Sequence, residues 1–252
     1  MTIVNVLSSE LIKIKRTLFH VVVATIPIII PSCIIFYILL QSVETIEEIK
    51  VYQYFFELTG IGLPIIISLL VGIQANEEEK ANQFINILSN NIPRTYIYTG
   101  KILFITLHLI LSLFISTFVL ILGITYILKI EEISYLLFLQ GTSLLVLGML
   151  ALIPIYFLAS FCFGFGSSLA LGGVGFLTAA IVGGTVLGDA IWTYIPWAWS
   201  IRLTQVPILR LLNSSIEVSL IQQSLLAFGG FLILSLFVYF WFLRWEGRQP
   251  YE

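Results

Sequence analysis

Charge is the scarcest commodity in this chain. Of its 252 residues only 10% are Asp, Glu, Lys or Arg, where a soluble domain carries about 25%. The net charge of −2 gives no support for nucleic-acid binding. The two cysteines, Cys33 and Cys162, have no metal-type spacing. They fall in the first and fourth apolar runs, toward opposite membrane faces, and are expected to pack as small hydrophobes rather than form a disulfide. No GxxxxGK[ST] phosphate loop occurs, so an ATP site of that type is excluded. No His, Cys and carboxylate constellation sits at one depth, as intramembrane hydrolysis would need.

What fills the chain instead is hydrocarbon. Hydrophobic residues make up 59% of it, gathered into six long runs. A helix needs about 20 apolar residues to cross a bilayer. The runs predict spans at 18–40, 55–75, 102–128, 135–161, 168–187 and 225–242. Six spans free of Asp, Glu, Lys and Arg are expected. They leave no length for a folded soluble domain, so residues 1–252 are read as one transmembrane domain. The expected class is an all-α integral membrane protein. The first run is too long for a signal-peptide core and no small-x-small site follows it, so it is read as retained. Pro27, Pro31, Pro64 and Pro154 lie inside spans, where neighbouring helices can re-satisfy the freed carbonyls.

Basic residues orient the spans. With the N-terminus in the cytoplasm, eight Lys and Arg face inward (Lys13, Lys15, Arg16, Lys80, Arg94, Lys101, Arg244, Arg248). Four face outward (Lys50, Lys129, Arg202, Arg210). The excess favours both termini inside. Before the first span, Val4, Leu7, Leu11, Ile14 and Leu18 recur at helical steps, with Glu10, Lys13, Lys15 and Arg16 near them. This reads as an amphipathic helix lying in the headgroup plane, or else as a cytoplasmic extension of span one.

The richest polar segment is residues 76–101. Asn76, with Glu79 three positions on, reads as a helix N-cap and capping-box acid. Glu77, Glu78 and Glu79 would then fill the first turn, which favours negative charge. Ala81, Phe84, Ile85, Leu88 and Ile92 form one apolar face, opposite Asn82, Gln83, Asn86 and Ser89. Pro93 ends the helix. Such a helix either lies against headgroups or inserts into a groove on a cytoplasmic partner. The glutamates disfavour an anionic leaflet.

Three other features remain open. Trp192, Trp197, Trp199 and Arg202, in the long segment 188–224, make either an aromatic belt or short re-entrant helices at an outer gate. Gly164 and Gly166 mark a tight hairpin or a second partner contact, and Gly184 with Gly188 allows close helix packing. His108 in span three is a polar packing residue or a proton carrier. Without paired intramembrane carboxylates, ion-driven pumping is poorly supported.

The chain resembles transmembrane subunits of ABC-2-type ABC transporters over its whole length. The resemblance is carried by SELIKIKRT at 9–17, by EEEKANQFINILSNNIPRTYIYTGK at 77–101 and by six spans in about 250 residues. It implies an interfacial helix containing Lys13, Lys15 and Arg16. It also implies a coupling helix between spans two and three, with Glu77, Glu78, Glu79, Lys80, Phe84, Ile85, Leu88 and Arg94 facing an ATPase. Within the family the chain looks most like the small E- and G-type permeases of lantibiotic self-immunity exporters of Gram-positive bacteria. Glu79–Phe84 and Pro93, Arg94, Gly100 and Lys101 carry that narrower match. The resemblance implies two copies of a separate ATPase holding ATP and magnesium, a second similar or identical permease, and an amphipathic peptide cargo. No cofactor is expected in this chain, which would be a plasma-membrane transport subunit and not an enzyme. Another hydrophobic drug or lipid-like cargo, or a non-transporting scaffold or sensor, would use the same features.

Overall fold

A computed structural model describes residues 3–15, 17–41, 47–81, 84, 87, 93–130, 133–212 and 219–247. Among these every regular element is helical. Helix α1 is Ile3–Ile14, α2 is Leu18–Leu40 and α3 is Glu48–Lys80. Helix α4, Arg94–Gly123, runs on through a π turn, Ile124–Leu128. Then come α5 (Tyr135–Met149), α6 (Leu152–Phe163) and α7 (Phe165–Thr178), which ends in a second π turn, Ala179–Gly183. Two 3₁₀ turns, Val186–Gly188 and Trp192–Tyr194, lead to α8 (Pro196–Leu212), and α9 is Leu220–Arg244. Six of these stretches are long and apolar enough to cross a membrane, with α5 and α6 counted as one.

Helix α3 is the hub. It packs against α2, α5, α6, α7 and α8, while α9 closes the far side against α4, α5, α6 and α8. The α5–α6 junction follows from Pro154, which has no N–H to offer the carbonyl of Leu150, so the helix steps at Leu150–Ala151. Between α6 and α7 only Gly164 intervenes. Its φ of 93° lies in the left-handed region, which glycine reaches without a Cβ clash.

Three sequence expectations change. The spans are not free of charge: Glu57 stands within residues 55–75 of the sequence itself and lies inside α3. One acid in a run this apolar barely alters its overall hydropathy. Asn76 is not an N-cap, because α3 continues unbroken through Lys80. Residues 74 and 78 lie on the buried side of α3 and find polar partners there, which favours continuing the helix. The glutamates therefore sit in the last turn, against the helix dipole, and lysines compensate them. Finally, Phe84, expected on the apolar face of a helix, does not have helical backbone. Phe84 has φ 64°, left-handed and costly for a bulky residue, and both Phe84 and Ile87 are buried. Ile85, Leu88 and Ile92 lie outside the described residues.

Helix α8 runs antiparallel to α3 inside the bundle. A Cβ on Gly60 would come within 2.6 Å of Ile201, and one on Gly148 within 2.5 Å of the Ser200 backbone. Nearer the start of α3, the Tyr52 hydroxyl donates to Thr204 O at 2.9 Å. Trp199 is buried, so residues 192–202 are more than an interfacial aromatic belt. Gly148→Ala is expected to lower stability by about 1–3 kcal/mol, since the added methyl meets backbone that cannot yield. Gly173→Ala, which meets open space, lacks this loss. Thermal unfolding of the two purified variants tests the contrast.

Candidate functional site

At the end of the bundle where α1 lies, three helices meet around buried charge. On α1 the buried positions are Val6, Glu10 and Ile14, while Leu11 and Ile12 are exposed. The buried stripe thus differs from the apolar stripe that includes Leu11. Val6 reaches the backbone of α4, where a Cβ on Gly100 would lie 2.6 Å from it. That close approach brings Glu10 to the next residue, Lys101, which is only 1% exposed.

The Lys101 ammonium lies 3.0 Å and 3.1 Å from the two Glu10 oxygens and 2.6 Å from Glu78 Oε1. Lys13 completes the group, 3.2 Å from Glu10 Oε1 and 2.6 Å from Glu78 Oε1. Gln74 Nε2 donates to Glu10 Oε2 at 2.9 Å. Two carboxylates and two ammoniums sum to zero, as burial demands. Burial raises the Glu10 carboxyl, but the attraction of Lys101, then Lys13, outweighs it and holds the group below its ordinary 4.5. The arrangement ties α1, α3 and α4 together without itself offering a nucleophile or a metal cage.

The expected coupling residues divide here. Glu78 belongs to this buried group. Glu77 is partly exposed and lies 3.5 Å from the exposed Lys80, and Glu79 is partly exposed. Phe84 is packed inward against Phe161 and Trp245. Arg94 opens α4 and donates to Leu243 O at 2.9 Å and Trp245 O at 2.6 Å, capping the end of α9. Ile85 and Leu88 lie outside the described residues, as does Arg16. Lys15 is exposed on the surface beside α1. Glu10 and Gln74 were not legible as site residues, because nothing in their local sequence reveals a partner 91 or 64 positions away.

At the opposite end, the four residues expected at a gate converge on α8 and its approach. Arg202 donates through Nε and Nη2 to Val182 O at 3.1 Å and 2.9 Å, and through Nη2 to Thr185 O at 2.6 Å. Its Nη1 meets Asp189 at 2.6 Å. It therefore satisfies carbonyls where the second π turn unwinds, groups that otherwise lack partners at a helix end. Trp197 donates to the Tyr156 hydroxyl at 2.9 Å, Trp199 donates to Thr193 O at 3.1 Å, and Trp192 packs beside Trp199 in a small apolar cluster. His108 lies edge-on to Phe19 and tilted against Phe104, and its Nδ1 bonds Phe104 O at 2.8 Å, a packed setting. A separate apolar cavity of about 650 Å³ opens between α4, α5 and α9, lined by residues such as Ile102, Val146 and Phe231.

A family model described as ABC-2 family transporter protein matches residues 6–179, from α1 to the second π turn. The chain belongs to that family. It is accordingly a multi-pass permease subunit of an ABC transporter, the transport part of an assembly whose ATPase is an ABC protein. A comparison with curated proteins gives no match. In this ABC-2 permease the buried ion group lies within the matched region, whereas α8 and α9 lie beyond it.

Replacing Lys101 with Met is expected to cost about 3–5 kcal/mol, because Glu10 and Glu78 would be left with Lys13 alone. Melting of the purified permease checks this. Because the folded-state Glu10 value is depressed, its stabilisation is present above 4.5 and lost as pH falls below that and through the folded value. Acid melting curves of the wild type and of Glu10→Gln should therefore converge below 4.5.

Proposed function

We propose that this permease exports an amphipathic antimicrobial peptide of the lantibiotic type, and that its α1 end faces the cytoplasm and receives the ATPase. The observation that carries the reading is the four-residue ion group joining α1, α3 and α4. The segment 81–93 links α3 directly to α4. Movement imposed on that segment would act on two spans that share one buried electrostatic joint with α1. Glu77, Glu79 and Lys80 supply exposed charge beside it.

In this reading two ATPase copies bind ATP and magnesium, and two permeases, alike or similar, enclose the route. Closure of the ATPases presses on residues 76–93. The α8 region, with Trp192, Trp197, Trp199 and Arg202, opens to release the cargo outward. Both termini lie inside the plasma membrane of a Gram-positive cell, and α1 with Lys13, Lys15 and Arg16 lies at the inner headgroups. The peptide cargo is supported by the likeness of residues 79–84 and 93–101 to lantibiotic immunity permeases.

The test is capture of the cognate ATPase by the intact permease, with ATP hydrolysis measured as lantibiotic is added. Lys80→Glu combined with Glu77→Lys, which keeps that ion pair and reverses its exposed charges, should abolish capture and peptide-stimulated hydrolysis while leaving the melting temperature unchanged. Phe84 is not the residue to change, because its ring fills the core. Capture at the wild-type level in the double variant would refute docking at this loop. Hydrolysis indifferent to the peptide would refute the cargo.

A further inference from the structure

Glu57 breaks the pattern of neutralised charge. The carboxylates of Glu10 and Glu78, drawn into the opposite end of the bundle, each face two lysines. Arg202 faces Asp189. Glu57 lies nine residues into α3, about 13 Å from its start by helical rise, and is partly buried. Among the described residues no Lys, Arg or His comes within ion-pair distance of it. Its one polar contact among the described residues is with Gln205 of α8, whose Nε2 lies 3.4 Å from Glu57 Oε1. An amide can donate a long hydrogen bond there but brings no positive charge.

The nearby cations are committed elsewhere. Arg202 stands three residues before Gln205 on the same face of α8, yet Asp189, Val182 O and Thr185 O hold its guanidinium. Lys50, about two turns before Glu57 on α3, is 3.8 Å from Glu47. A carboxylate within an apolar span that has no cation beside it is costly, and such groups mark functional positions.

The surroundings say what kind of cation fits. Leu58 and Ile65 are exposed on α3, and Ile61 is half-buried between them along the same face. Leu209 is exposed one turn beyond Gln205 on α8. The surface thus offers one carboxylate and a neighbouring amide at the head of an apolar stripe. A small hydrated ion would gain nothing from the stripe. A peptide helix of this same chain would bring a cation only if one were free.

We propose that Glu57, with Gln205 beside it, docks the cationic group of an amphipathic molecule whose apolar body lies along Leu58, Ile61 and Ile65. This deepens the export reading and rests on it for the nature of the cargo. Glu57 supplies the charge, and Gln205 orients it while keeping a carbonyl oxygen that can also accept from an ammonium. The site discriminates cationic from neutral amphiphiles of equal length.

The experiment uses the full chain in phosphatidylcholine nanodiscs, with empty discs subtracted. Calorimetry measures binding of dodecylammonium and of uncharged dodecanol. Glu57→Gln should weaken dodecylammonium binding by about tenfold, the loss of one charge-assisted contact, and leave dodecanol unchanged. Glu57→Asp should keep most of the preference. Equal affinity of wild type and Glu57→Gln for the cation would overturn the proposal. So would efficient disulfide formation between copies carrying Glu57→Cys, which would place a second permease over this face. Transport by the assembled transporter in vesicles separates the two readings. Cation binding that depends on Glu57 without peptide export leaves the site standing and removes the cargo. Peptide export with unaltered cation affinity in Glu57→Gln does the reverse.

Discussion

An ammonium with 1% of its surface exposed cannot remain charged in a protein surrounded by lipid unless anions reach it. Lys101 imposes that requirement on the rest of the molecule. Its two acids come from different helices, Glu10 on α1 and Glu78 on α3. The requirement fixes how α1 lies against α4, and the contact of Val6 with Gly100 supplies the fit. It also gives a reason for α3 to remain helical to Lys80, because an earlier end would carry Glu78 away from Lys101. Hydrophobic packing alone would orient an interfacial helix only loosely. A buried pair whose disruption costs several kcal/mol specifies one rotation and one depth.

The spans are legible in the sequence because lipid demands long apolar helices and permits little else. Their ends are less so. Span two extends to Glu48 and Lys80 and span three starts at Arg94, since charged residues continue a helix readily once its hydrogen-bonded ladder is established. Asn76 and Glu79 have the local grammar of a helix start. That grammar loses to an existing helix whose next turn finds tertiary partners. Phe84 fits a helical apolar face by spacing, but its left-handed backbone turns the ring into the core between Phe161 and Trp245. Glu10 looks like a solvated position beside an apolar stripe and is buried, because its partners come from far along the chain.

The far end follows the same physics with different materials. Span five gives up its regular hydrogen bonding at Ala179–Gly183, and the freed carbonyls need donors where water is scarce. Arg202, from α8, supplies them and is itself neutralised by Asp189. The tryptophans expected nearby are therefore part of a packed unit, with glycines 60, 148 and 183 admitting α8 close to its neighbours. The sequence shows the aromatic cluster and the arginine, and only the fold shows that they brace α8 within the bundle.

The single residue between α6 and α7 couples the placement of two spans. Helices joined through Gly164 alone cannot slide apart, and Ser167 Oγ, donating to Ala159 O at 3.0 Å, fastens them beside the joint. Phe161, near that joint, touches both Phe84 and Trp245. The far end of α7 leads into the turn whose carbonyls Arg202 holds. One hairpin thus reaches from the ring of Phe84 to the Arg202 clamp.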